Sequence, residues 1–245
     1  MLGGNTYLII WPLVVFYYAY GPGSLFKLSR IVAHRVPWTT KHPFLDVEHS
    51  IRCILVSLLQ LGFCIVLIAI SGASLSQLGF RTFRPGLLVF GMVLGLGEMG
   101  LSSFLCFVAM RAIRALAPAN VPQKDDDWLA LLQAGWVRQI KKMFQIAPPM
   151  VAGSTIILYI AVEEIIFRSV LISAALSLGP VASVATSTVF FALIQTFHMP
   201  SWRSGLFPVI GALVVGPIHG TLFFQTQEIW PLIGAHVTMF LAGAL

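Results

Sequence analysis

The chain has 245 residues, of which 58% are hydrophobic and only 10% charged, against a charged share of roughly a quarter in soluble domains. That excludes an ordinary water-soluble domain and a disordered chain. The formal charge of +6 does not mark a nucleic-acid binder, because the 15 Lys and Arg are strung between apolar runs with no basic, aromatic-interleaved patch.

A bilayer core of about 30 Å takes about 20 apolar residues in helix. Runs of that kind lie near Thr6 to Tyr20, Cys53 to Ser71, Gly86 to Met110, Pro149 to Leu178, Val181 to His198, Gly205 to Phe224 and Ile229 to Leu245. The spacing predicts an all-α protein, a polytopic transmembrane helix bundle of about seven spans, within a range of roughly six to eight. Gly21-Pro22-Gly23, Gly179-Pro180 and Pro200 punctuate the runs. The first run has no Lys or Arg before it and no small-residue cleavage site after it, which reads as a retained helix rather than a signal peptide. Cys53, Cys64 and Cys106 form no CxxC and lie in apolar stretches, so neither a disulfide framework nor a zinc ribbon is expected.

Positive charge is unevenly shared between alternate loops. Lys27, Arg30, Arg35, Lys41 and Arg52, then Arg111, Arg114, Lys124, Arg138, Lys141 and Lys142, then Arg203, fall on one side, against Arg81 and Arg84 on the other. Cytoplasmic loops hold the excess of Lys and Arg, so seven spans place the N-terminus outside and the C-terminus in the cytoplasm. Trp128 to Ile146 alternates apolar and basic residues as a helix lying on the inner leaflet would. Asp125, Asp126 and Asp127 before it read as a helix cap in a solvated loop. The expected division is 1–147, N-terminal transmembrane helices with a cytoplasmic amphipathic linker, and 148–245, a core of later helices.

An ionisable side chain at bilayer depth costs a few kcal/mol or more, which makes each one a functional candidate. Glu98, the Glu163-Glu164-Ile165-Ile166-Phe167-Arg168 stretch, His219 and His236 qualify. Glu164 and Arg168, four apart, share a helix face and can pair. Glu163 points about 100° away from that face, and without a cation it suits a general base. By depth along their helices, Glu163 and His236 come out nearly level and His219 within about 10 Å, so the three could converge. A carboxylate with one or two imidazoles can deprotonate a water, with a divalent metal such as zinc or without one. If a metal is held, Glu163, His219 and His236 are its expected ligands. Taken singly, His219 in Gly216-Pro217-Ile218-His219-Gly220 reads as a helix-packing residue, its glycines permitting close approach.

Three ordered segments carry a resemblance. Glu163 to Arg168 is similar to the EExxxR motif of the CPBP family, the CAAX protease and bacteriocin-processing enzymes that include the type II CAAX prenyl endopeptidases. Ser187 to Gln195 resembles the family's FxxxH helix, and Thr226 to His236 resembles the lead into its final HxxxN. The resemblance covers roughly the last 95 residues. It departs at two positions: Gln195 stands where the family has the FxxxH histidine, and Phe240 where it has the HxxxN asparagine.

The resemblance implies an intramembrane endopeptidase in which Glu163 activates water, His236 serves the oxyanion, and Glu164 and Arg168 are structural partners. Gln195 can hold a water but cannot take its proton, and Phe240 cannot donate a hydrogen bond. His198 and His219 are the candidates for the missing imidazole. The expected partners are membrane lipid and a peptide or protein substrate, prenylated or not, with no nucleic acid. The expected site is a bacterial inner membrane. The alternative is a catalytically impaired family member acting as a membrane immunity, scaffold or regulatory protein. No HExxH and no GxSG is present, and Gly95-Leu96-Gly97-Glu98 has Glu where aspartyl intramembrane proteases have Asp. The residues leave Glu98 open between a helix-packing carboxylate and an accessory of the Glu163 cavity.

Overall fold

The computed structural model describes residues 6–117, 136–197, 199 and 201–244, and among these there is no strand. In chain order the helices are α1 (Tyr7–Ser24), α2 (Phe26–Ala33), α3 (Phe44–Ser71), α4 (Pro85–Leu116), α5 (Trp136–Ile146) and α6 (Pro149–Glu164). A π-helical segment (Ile165–Leu171) runs on from α6 into the short α7 (Ile172–Ala174), and α8 (Pro180–Ile194), α9 (Trp202–Thr226) and α10 (Trp230–Ala244) follow. Each of the seven apolar runs is thus largely helical over its described residues. Tyr7–Ala33, α3, α4 and α9 are long and apolar enough to cross a membrane, and α8 and α10 are shorter apolar helices. The chain is an all-α integral membrane bundle.

Helix ends follow the punctuation with one exception. Gly179, at φ 91°, turns the chain into Pro180, whose missing N–H is harmless at the first position of α8. Ser201 caps α9, its hydroxyl accepting from Ser204 N at 3.3 Å. Gly21-Pro22-Gly23, by contrast, does not end α1, which continues to Ser24.

The faces of α4 are arranged for lipid. Its outward side carries Val89, Phe90, Val93, Leu96, Phe104 and Phe107, all exposed, while its buried side carries Gly91, Gly95, Glu98 and Ser102. Where the solvent is hydrocarbon, large apolar residues gain nothing by turning inward. Helices then associate through small residues and polar contacts. A Cβ on Gly95 would collide with the carbonyl oxygen of Ala235, so α4 lies directly against the α10 backbone. Gly216 likewise lets α9 close on Thr188 of α8, which is the approach its sequence setting predicts.

The amphipathic stretch is helical over its described part, α5, but its apolar side meets protein. Ile140 and Met143 are buried against residues of α3 and α6, and Lys142 pairs with Asp46 at the start of α3. Phe144 of the same helix remains exposed. Trp128 to Gly135 and Asp125 to Asp127 lie outside the described residues, as does His198.

A cavity of about 650 Å³ opens between the end of α1, α2, the start of α3, α5, α6 and the end of α8. Arg30, Glu48, His49 and Arg52 ring one part of it, and Tyr18, Thr155, Tyr159, Gln195 and Phe240 line another. At the far end of the bundle the chain is tied shut. Arg84 Nε donates to Glu228 Oε1 at 2.7 Å, Ile229 N donates to Gly79 O at 3.1 Å, and Ser169 Oγ donates to Leu78 O at 2.7 Å.

Candidate functional site

Six ionisable side chains meet at the centre of the bundle: Glu98 from α4, Glu163 and Glu164 from the end of α6, Arg168 from the π segment, His219 from α9 and His236 from α10. None is more than 2% exposed. Water therefore does not solvate them, and each depends on its neighbours.

Glu164 is the hub. Its Oε1 accepts from His236 Nδ1 at 2.6 Å, and its Oε2 lies 2.9 Å from His219 Nδ1 and 3.3 Å from Arg168 Nε. The Glu164 and Arg168 pairing expected from their spacing is present, and it survives the π segment that begins between them. Arg168 also donates through Nη1 to Ser187 Oγ at 3.3 Å, and its guanidinium lies 4.7 Å from the centre of the Phe191 ring. Ser187 in turn donates to Phe167 O at 2.6 Å. The π segment and α8 are thereby tied together around the guanidinium.

The histidines gather on Glu164 rather than on Glu163, and this corrects the convergence expected from depth alone. Depth puts residues at one level but not on one face. The 100° between adjacent carboxylates turns Glu164 toward α9 and α10, together with Arg168. Glu163 points about 100° from that face. Its neighbour is Tyr159, one turn earlier, which hydrogen-bonds the Glu163 carboxyl group, while Glu163 Oε2 has no hydrogen-bond partner among the described residues. Tyr159 and Tyr18 both line the large cavity, and Gln60 Nε2 donates to Tyr18 Oη at 2.9 Å.

His236 uses Nδ1 for Glu164, and a carboxylate only accepts, so this nitrogen carries a hydrogen. Nε2 is the remaining ring nitrogen. Phe240 packs edge-on against the His236 ring with centroids 4.9 Å apart. Gln195, Phe240 and His236 together line a second, much smaller void. The two substituted motif positions thus lie beside the surviving motif histidine, and both also face the large cavity.

His219 is enclosed on both sides. Its Nε2 lies 3.1 Å from Glu98 Oε1 and 3.3 Å from Oε2, opposite the contact of Nδ1 with Glu164. That arrangement does not suit a replacement for the FxxxH imidazole, because both ring nitrogens are occupied by carboxyl groups. It does not suit a metal ligand either. Among the described residues no three His, Cys, Asp or Glu side chains are gathered to hold a metal ion, and the hydrogen bonds of both histidines go to Glu164 and Glu98 rather than to Glu163. The set Glu163, His219 and His236 does not fit a metal in this arrangement.

Tyr159 and the tie between Glu98 and His219 were not read from the sequence. A helical spacing of four before Glu163 was the signal available for Tyr159. For Glu98 there was none, since its partner is 121 residues away.

Residues 145–241, about two fifths of the chain, match the family model described as Type II CAAX prenyl endopeptidase Rce1-like. No curated protein and no solved structure matches the chain significantly. The matched segment contains Glu163, Glu164, Arg168, Gln195, His236 and Phe240, with the helices that bring them together. Over residues 145–241 the chain is similar to the type II CAAX prenyl endopeptidases, the family that its three ordered motifs resemble.

Proposed function

We propose that the protein is an intramembrane endopeptidase that hydrolyses a peptide bond by attack of a water activated by Glu163. The observation that carries this reading is the buried Glu163 carboxyl group, one oxygen of which has no partner among the described residues, beside Tyr159, which lines a cavity of about 650 Å³. An unpaired acceptor at that depth has no structural purpose that an apolar side chain would not serve better. In the proposed step Glu163 takes a proton from the water as its oxygen adds to the scissile carbonyl carbon. The same carboxylic acid then returns the proton to the departing amine. With its Nδ1–H held by Glu164, a His236 ring protonated at Nε2 donates to the oxyanion, and the Glu164 carboxylate balances the ring's charge. No part of this step is routed through a metal.

The cavity lies at the helix ends beside Arg30 and Arg52, on the side that the excess of Lys and Arg assigns to the cytoplasm. A peptide or protein substrate, prenylated or not, would enter there, in the inner membrane of a bacterium.

The test is hydrolysis of a membrane-peptide library by the purified full-length chain in detergent, read by mass spectrometry, beside Glu163→Gln and a chelator arm. Loss of cleavage in Glu163→Gln supports the mechanism, and undiminished cleavage refutes it.

One observation favours a second reading. Gln195 and Phe240 replace the family's base partner and oxyanion donor while still lining the cavity. A site so altered would bind a peptide or lipid without cutting it and act as an immunity, scaffold or regulatory protein. Tight binding of library peptides without cleavage would be its signature.

A further inference from the structure

Four side chains from four helices form one line through the bundle: Glu98 to His219 Nε2 at 3.1 Å, His219 Nδ1 to Glu164 at 2.9 Å, and Glu164 to His236 Nδ1 at 2.6 Å. Two of the four lie outside the motifs. Glu98 precedes the family segment, which begins at residue 145, and His219 falls in none of the three matching stretches. We infer that Glu98 and His219 are positioning residues, which hold the Glu164 carboxylate and through it the His236 ring in the orientation the site uses. The inference deepens the proposed function, since it takes His236 to be a working group of that site.

The physical reason lies in the freedom of a carboxylate. The terminal torsion of Glu is broad and roughly two-fold, so a single contact leaves the carboxyl plane free to rotate. Glu164 is held at both oxygens, Oε1 by His236 and Oε2 by His219 and the longer 3.3 Å contact of Arg168. Removing His219 leaves only the longer contact on Oε2, and the acceptor of His236 Nδ1 then swings. His219 in turn would be held at one nitrogen alone without Glu98. A doubly protonated His219 donates to both carboxylates; with a neutral ring, one carboxyl group carries the hydrogen instead.

Packing alone does not account for the arrangement. Buried ionic groups can often be exchanged for apolar residues at no loss of stability, and Leu at 98 with Met at 219 would fill comparable space. The close approach at Gly95, one turn from Glu98, packs α4 directly against the α10 backbone. Directional contacts at both ends of one imidazole fix an orientation, which apolar packing does not.

The test reads the His236 ring directly. The full-length chain is labelled with 15N-histidine and examined in detergent micelles, and the spectrum of His236→Gln identifies the His236 ring resonances. Glu98→Leu and His219→Gln should move those resonances, and Glu98→Gln, which keeps an acceptor for Nε2, should move them less. If peptide cleavage is found, Glu98→Leu should lower kcat by about 10- to 100-fold with KM little changed, as for other residues that orient a working histidine. His236 resonances that stay in place in every folded variant, Glu98→Gln included, overturn the inference. Because the resonance reading needs no substrate, failure of the parent chain to cleave any peptide would sink the proposed function and leave this result standing.

Discussion

Glu98 and His219, 121 residues apart in the chain, meet at 3.1 Å in a place neither water nor lipid reaches. The contact joins α4, from the part of the chain outside the family segment, to the Glu164 hub inside it. The N-terminal helices therefore form part of the site's support as well as its lipid-facing wall.

Glu164→Ala removes the partner of three buried groups at once. Breaking a buried ionic network by deleting one member costs about 3–5 kcal/mol, so the variant should lose its folded form at a clearly lower temperature. Thermal unfolding in detergent, followed by size-exclusion chromatography, checks this. Glu164→Gln, which retains hydrogen-bonding atoms, should lie between the two.

Glu163→Gln should behave oppositely. Among the described residues Glu163 forms no ion pair and has an unpartnered oxygen, so the neutral amide should leave thermal stability equal or higher. Hydrolysis should fall by about 10²–10⁴-fold, the usual share of a general base. Stability and cleavage measured on one preparation separate this case from that of Glu164.

Tyr159→Phe deletes the hydroxyl that hydrogen-bonds Glu163. A bond to a charged group is worth about 1.5–3 kcal/mol, so cleavage should drop by about ten-fold or more. The cavity wall keeps its aromatic ring, and a measured peptide affinity should remain near that of the parent.

The double variant Gln195→His with Phe240→Asn restores the family pattern beside His236. One oxyanion donor is worth about 10²–10³ in rate, and the added imidazole supplies a second base. The restored chain should cleave at least 10²-fold faster than its parent in the same peptide-library assay. An unchanged rate would mean that the cavity does not present a scissile bond to these positions.

Gly95→Leu should separate α4 from α10. The new side chain would meet the backbone at Ala235, which cannot yield as a flexible side chain can. Overpacking costs about 1–3 kcal/mol or more, and the wedge also lifts Glu98 from His219. A lowered unfolding temperature together with moved His219 and His236 15N resonances would report both effects.

What the sequence by itself determined is what depends on neighbours along the chain. The seven apolar runs became helices because hydrophobic length and backbone hydrogen bonding are local properties. The pairing of Glu164 with Arg168 followed from a spacing of four on one helix. The family segment was legible because its three motifs keep their order and internal spacing. What only the tertiary structure decided is which faces of different helices meet. Periodicity locates Glu163 and Glu164 around their own axis, but not the side from which α9 and α10 approach, so the histidines settled on Glu164. It gives no partner for Glu98, whose contact, His219, lies on α9 and 121 residues away. It also does not reveal that Gln195 and Phe240 line one cavity with Tyr159. These relations arise when helices distant in sequence pack through small residues and buried polar contacts, a matter of shape in three dimensions rather than of pattern along the chain.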